Sequence, residues 1–223
     1  MKKVLLVLAG VALIAGTVSA QEKKTIWGIR AGLNVANMQM KADNVKIKGD
    51  SRASFNAGVS LQQAIAPKAP VFLETGLFLS GNGTKQKAFG GTMKMTPLYL
   101  KLPVAFSYHF NIKDIVSIQP YVGIYYGLGL GGKQKWEDGD YSEEYKLFKD
   151  ENIEEDGDTY TVEKSMKRSD FGLRFGAGFA FKSHYYIGLG YDLGLVNTAY
   201  SSEDTDFGTL KNKAFYISVG YNF

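Results

Sequence analysis

From Phe171 to Phe181 every second residue is apolar: Phe171, Leu173, Phe175, Ala177, Phe179 and Phe181. Asp170, Gly172, Arg174, Gly176, Gly178 and Ala180 fill the gaps. Successive side chains of a strand point to opposite faces, so one face here is bare hydrocarbon and the other is glycine and charge. The same period recurs from Tyr185 to Leu195 and from Phe215 to Phe223. Such segments suit strands with one face in lipid and one in a polar lumen. A soluble β-sandwich also alternates, but seldom carries such wide apolar faces on nearly every strand.

The N-terminus reads as an export signal. Lys2 and Lys3 precede an apolar stretch, Val4 to Val18, and Val18-Ser19-Ala20 is an A-x-A-like cleavage site with Gln21 following. That stretch is too short for a spanning helix, which needs about 20 residues, and no later apolar run reaches that length. The expected organisation is a signal peptide over 1–20 and one barrel domain over 21–223. The formal charge is +4, or +2 without Lys2 and Lys3, a balance that implies no nucleic-acid partner. There is no cysteine, which excludes disulfides, thiolate metal sites, a cysteine nucleophile and a lipidated N-terminal cysteine. The 26 glycines fit a narrow lumen, and the 14 tyrosines and 14 phenylalanines fit the lipid interfaces.

Eight strand-like segments can be read, at about 26–37, 53–63, 71–80, 96–109, 116–131, 171–181, 185–195 and 215–223. Their connections alternate. The short ones are 65–70, 111–114 and 182–184; the long ones are about 38–52, 81–95, 132–168 and 199–211. Short periplasmic turns and long external loops are the known asymmetry of membrane barrels. The expected fold is therefore all-β: an eight-stranded antiparallel up-and-down transmembrane β-barrel in the outer membrane. Outward aromatics should collect at the interfaces. Trp27, Tyr108, Phe110, Phe181, Tyr185, Tyr221 and Phe223 fall at the periplasmic ends, a predicted girdle, and Phe171 and Phe215 at the outer ends.

Five charged residues within the segments take the inward parity: Arg30, Glu74, Lys101, Arg174 and Asp192. An eight-strand barrel is only wide enough for side chains to fill it, so these charges should pair across a packed interior. A turn at 182–184 centred on Ser183 sets Arg174 directly opposite Asp192. Glu74 and Lys101 are a looser candidate pair, because the loop between them leaves the register free.

Other candidate sites are weaker. Segment 132–168 carries 12 of the 22 acidic residues and reads as a solvated, mobile external loop. Asp138-Gly139-Asp140 and Asp156-Gly157-Asp158 hint at calcium turns, yet no complete calcium-loop pattern is present, so no metal ligand is assigned. Thr159 to Lys164 alternates weakly and could extend a hairpin above the membrane. His109 and His184 fall at periplasmic turns, and no Ser–His pair presents itself. No catalytic residue and no cofactor are expected, and the glycines at 172–178 and 188–194 continue a strand period rather than form a phosphate loop.

Several stretches resemble the outer-membrane β-barrel family of Bacteroidetes, the PorT-like group. Trp27-Gly28-Ile29-Arg30-Ala31-Gly32-Leu33-Asn34 is similar to that family's first strand. Tyr99-Leu100-Lys101-Leu102-Pro103 resembles its central Y-L-E-I-P segment, with Lys101 in place of the usual Glu. Gly194-Leu195-Val196-Asn197 is similar to its G-L-x-N motif. Tyr221-Asn222-Phe223 is like the C-terminal aromatic signal read by the barrel-insertion machinery. The resemblance covers nearly all of 24–223 and implies location and fold. Members differ in task, and the PorT protein itself is linked to secretion across the outer membrane.

The leading expectation is a barrel with a filled lumen, not an enzyme, in a structural or surface-interaction role through its external loops. Outer-membrane lipid and lipopolysaccharide, the insertion machinery through Phe223, and secretion-system proteins are the expected partners. An accessory role in a PorT-like secretion assembly, a small porin and a lipid-modifying enzyme are the alternatives.

Overall fold

A computed structural model describes residues 25–42, 45–66, 68–88, 90–113, 115–155, 158–201 and 208–223. The expected signal peptide and its cleavage site, and residues 156 and 157 of the second acidic turn, lie outside the described residues. Eight long strands form the barrel: β1 (Thr25–Ala42), β2 (Asp50–Ala64), β3 (Val71–Gly81), β4 (Leu98–Tyr108), β5 (Val116–Gly131), β6 (Ser169–Phe181), β7 (Tyr185–Gly194) and β8 (Thr209–Asn222). Each pairs antiparallel with its neighbours in chain order, and β1 returns to β8 from Gly28 opposite Asn222 to Lys41 opposite Thr209. Closure leaves the barrel strands no free edge, the condition a sheet must meet in lipid.

Alternation sorts the side chains. On β1, Trp27, Ile29, Leu33 and Val35 are exposed, whereas Arg30, Asn34, Ala36 and Met38 are buried. On β8, Phe215, Ile217 and Val219 are exposed, whereas Leu210, Asn212, Ala214 and Tyr216 are buried. The molecule is thus apolar outside and largely polar inside, the inverse of a soluble fold. Glycines make room for the largest inner side chains. A Cβ on Gly190 would lie 2.3 Å from the Tyr121 hydroxyl and 2.6 Å from that of Tyr216. One on Gly178 would lie 2.5 Å from the Tyr186 ring.

The expected loops contain more structure than the sequence suggested. Val45–Lys48 folds back onto the outer end of β1. Thr84–Ala88 and Gly91–Met95 form a hairpin that joins β2 through Asp50 and Ser51. Gly91–Met95 also pairs with Lys133–Asp138, which pairs with Tyr141–Lys146. One side of the barrel therefore continues above the band as a sheet. Glu151–Glu155 and Asp158–Val162 make a separate hairpin. The segment 132–168, expected as a solvated mobile loop, is instead two hairpins joined by buried apolar residues. Asp138-Gly139-Asp140 belongs to the bend of the first hairpin, where Gly139 takes a φ of 56°, a left-handed conformation that glycine adopts without strain.

Candidate functional site

The interior is organised around one carboxylate. Asp192 on β7 faces Arg174 on β6 across the short turn, and the pair is bidentate: Nε to Oδ1 at 2.8 Å and Nη2 to Oδ2 at 3.0 Å. Lys101 reaches the same carboxylate from β4, Nζ to Oδ2 at 2.9 Å, and is itself 1% exposed. Two cations thus share one anion. The Arg174 guanidinium also lies 4.9 Å from the Tyr216 ring centre, and Lys101 Nζ lies 4.9 Å from that of Tyr125, so aromatic faces carry part of the surplus positive charge.

A second buried carboxylate lies above it. Asp170 is fully buried; its Oδ2 accepts from the Tyr125 hydroxyl at 3.1 Å and from Asn212 Nδ2 at 3.0 Å. Asp170 was not among the expected lumen charges. Its parity signalled the position, since it shares the inward face with Gly172 and Arg174.

Glu74 and Lys101 do not meet. Lys101 is drawn to Asp192, while Glu74 Oε1 accepts from Gln62 Nε2 at 2.8 Å. Glu74 sits opposite Ala105 and Lys101 opposite Phe78 on the β3–β4 ladder, so the two occupy different levels of the lumen. Arg30 serves that lower level. Its Nη2 donates to Asn222 Oδ1 at 2.6 Å, and its guanidinium stacks 3.8 Å over Tyr186.

A Ser–His contact exists where none was expected. Ser107 Oγ and His109 Nε2 are 3.2 Å apart, and Glu74 Oε1 is 3.9 Å from that same nitrogen. His109 is buried, and its ring stacks on Phe72 at 3.8 Å. A nucleophile relay needs the serine and the carboxylate on opposite ring nitrogens. Here both approach Nε2, so the trio closes the lower mouth without forming a triad. His184 is exposed at the β6–β7 turn, with Nδ1 3.2 Å from the Asn222 carbonyl.

The upper mouth is closed by hydrocarbon. Met38, Met95, Tyr99, Leu147, Phe148, Met166, Ala199 and Leu210 form one buried cluster. Leu147 and Phe148 come from the external segment and are held by backbone bonds: Leu147 donates to the Gly132 carbonyl at 3.0 Å, and Met166 to the Leu147 carbonyl at 2.9 Å. Arg168 adds Nη1 to the Gly129 carbonyl at 2.9 Å. Gly129 provides the seat, since a Cβ there would lie 2.6 Å from the Phe148 ring. Between the two closures lies a cavity of about 70 Å³, lined in part by Arg30, Glu74, Phe78, Tyr121 and Arg174. It has room for waters and is far below the ~300 Å³ of a small-ligand pocket.

Outside, Trp27, Tyr108, Phe110, Phe181, Tyr185, Tyr221 and Phe223 are all exposed at the short-turn end. Several touch: Tyr108 and Phe110 at 4.5 Å, Tyr221 and Phe223 at 5.3 Å, Tyr185 and Tyr221 at 5.9 Å. The Phe223 amide donates to the Trp27 carbonyl at 2.8 Å, which seats the last residue on the closing seam.

Residues 5–223 match the family described as the outer membrane protein beta-barrel domain. The chain belongs to that family. It is an outer-membrane β-barrel. A search of curated proteins finds no match. Among solved structures, this outer-membrane barrel is similar to Ail, the attachment invasion locus protein of Yersinia pestis, at 16% identity over 90% of this chain and 99% of that one, with a TM-score of 0.38. It is similar to Neisserial surface protein A at 14% identity over 88% and 97%, TM-score 0.45. OprG from Pseudomonas aeruginosa gives 14% identity over 90% and 97%, TM-score 0.45. At such identities no shared ligand or partner follows.

Proposed function

We propose that this protein is a non-conducting outer-membrane barrel that acts through its external β-extension. The carrying observation is the closure of the upper mouth by Tyr99, Leu147, Phe148 and Met166. With the lumen filled beneath it by Arg174, Asp192 and Lys101, the surfaces left to work are the external sheet and the lipid face. Residues 1–20 act as a cleaved export signal, the seven aromatics at the short-turn end form the periplasmic girdle, and Phe223 is read by the insertion machinery. The reading includes no catalytic step and no cofactor.

Two experiments test it. The purified chain in planar bilayers is expected to give no steady single-channel current; a reproducible conductance would replace this reading with a small porin. A cysteine at Asp140 is expected to react with an impermeant maleimide on intact cells, and one at Lys182 only after permeabilisation. The reverse pattern would invert the topology. A secretion-accessory role of the PorT kind is the alternative reading. It predicts recovery of secretion subunits by in-cell crosslinking through the periplasmic turns.

A further inference from the structure

Lysines above the apolar band fall into two groups. Several on the external hairpins are neutralised by the chain itself. Lys94 and Lys135 both meet Glu137, Lys133 meets Glu144, Lys146 lies 2.6 Å from Glu151, and Lys164 lies 3.1 Å from Asp150. Lys85, Lys87, Lys149 and Lys167 on the external segments, and on the barrel wall itself Lys41, Lys211 and Lys213, make no ion pair among the described residues. The three on the wall share a place. Alternation on β8 puts Lys211 and Lys213 on the outward face with Phe215 and Ile217, and alternation on β1 puts Lys41 on the outward face with Leu33 and Val35. The ladder sets Lys213 beside Asn37, Lys211 beside Gln39 and Thr209 beside Lys41. Three lysines and two amide residues, Asn37 and Gln39, therefore run up one seam of two strands.

The strip starts where the hydrocarbon face stops. Phe215 and Val35, both about half exposed, are the last outward apolar residues of β8 and β1. At a strand rise of about 3.3 Å, Lys213 stands about 7 Å beyond Phe215 and Lys211 about 13 Å beyond it. That interval is the headgroup layer, and lysine stems can lie along an apolar wall while their charges reach the polar plane. A cation with no ion pair among the described residues at that depth is complementary to an anion held at the same depth.

We propose that Lys41, Lys211 and Lys213 form a docking strip for the phosphate groups of a phosphorylated lipid in the external leaflet. The strip is an open, convex row beside a lipid-facing wall. It suits a headgroup whose own acyl chains hold it in register against Ile217 and Leu33. A free phosphate ion would meet three separated, hydrated point charges there. The inference rests on the membrane placement proposed above.

The test uses the full chain folded into phosphatidylcholine nanodiscs doped with lipid A or with its dephosphorylated form, with retained lipid read by native mass spectrometry. Heat-modifiable mobility on gels checks that each variant is a folded, inserted barrel. The wild type is expected to retain phosphorylated lipid A over the dephosphorylated form. The combined variant Lys41→Gln, Lys211→Gln, Lys213→Gln should lose that preference by about tenfold or more. The control Lys133→Gln, Lys135→Gln, Lys146→Gln should keep it, and inorganic phosphate should not displace the lipid. Equal retention of the two lipids by the wild type, equal loss in both triple variants, or displacement by inorganic phosphate would overturn the docking strip. A wild type that fails to insert would overturn the membrane placement instead, so the two failures are separable.

Discussion

Two sets of ion pairs share one chemistry and differ in surroundings. In the lumen, Arg174, Asp192 and Lys101 have side chains 13%, 3% and 1% exposed. On the external sheet, Lys146 and Glu151 are 57% and 24% exposed, and Lys133 and Glu144 are 59% and 43% exposed. Water screens the second set and a long side chain loses entropy in forming it, so each pair contributes little. The first set has no water to return to. Breaking it leaves a charge buried with no partner. The lesson is that the same pairing chemistry is costly to break in the interior, whereas the exterior pairs only trim the shape of a sheet already held by its ladder.

That contrast can be broken at its strongest point first. Asp192→Ala leaves two cations buried together and is expected to cost at least about 3–5 kcal/mol, read as the urea midpoint in lipid vesicles. Arg174→Ala should cost about 3–5 kcal/mol, with Lys101 remaining to neutralise Asp192 and keep the value at the lower end. If both midpoints stay at the wild-type value, the interior pairs are no different in kind from the exterior ones. Gly190→Ala tests packing without charge. The added methyl meets the Tyr121 and Tyr216 hydroxyls and is expected to cost about 1–3 kcal/mol in the same assay. Lys146→Ala should leave the midpoint unmoved, and a measurable loss would raise the standing of the external pairs.

The smallest effect concerns pH. Hydrogen bonds from Lys135 and then Lys94 hold the Glu137 carboxyl down to about 2, below its usual value near 4.5. A depressed pKa stabilises the folded sheet above the unfolded pKa, and that contribution is lost as pH falls through the folded one. Amide exchange in Gly91–Met95 and Lys133–Asp138 should therefore be steady from neutral pH down to about 4.5 and rise relative to the barrel strands toward about 2. A rise that begins near neutrality would assign the protection to some other group.

How much of this was legible depended on how short the connections are. The turn at 182–184 fixes the β6–β7 register, so Arg174 opposite Asp192 could be read from chain position alone, and the structure places them so. Lys101 reaches Asp192 across the lumen, between strands that are not neighbours, and no hairpin arithmetic sets such a contact. Glu74 and Lys101 do lie on neighbouring strands, but the long connection between them leaves the register free, and the ladder sets them at different levels. Ser107 and His109 sit two apart and share a face, so their contact is legible from parity. Leu147 and Phe148 were also visible, as two adjacent apolar residues in an acidic run. The segment's average charge masks them. Along Tyr141–Lys146 no residue is buried, so neither face selects apolar residues and no clean period results.

The ladder between β1 and β8 joins the first described strand to the last. Its partners stand almost two hundred residues apart, Gly28 against Asn222, so no local event can form it early. Until β8 is made, β1 and β7 each keep a row of unpaired amides and carbonyls that lipid will not accept. Every shorter product of synthesis is thus an open sheet with two adhesive margins, in need of a chaperone. Assembly in this molecule resembles fastening a clasp: the parts can lie side by side in any number, and only the final one turns them into a ring.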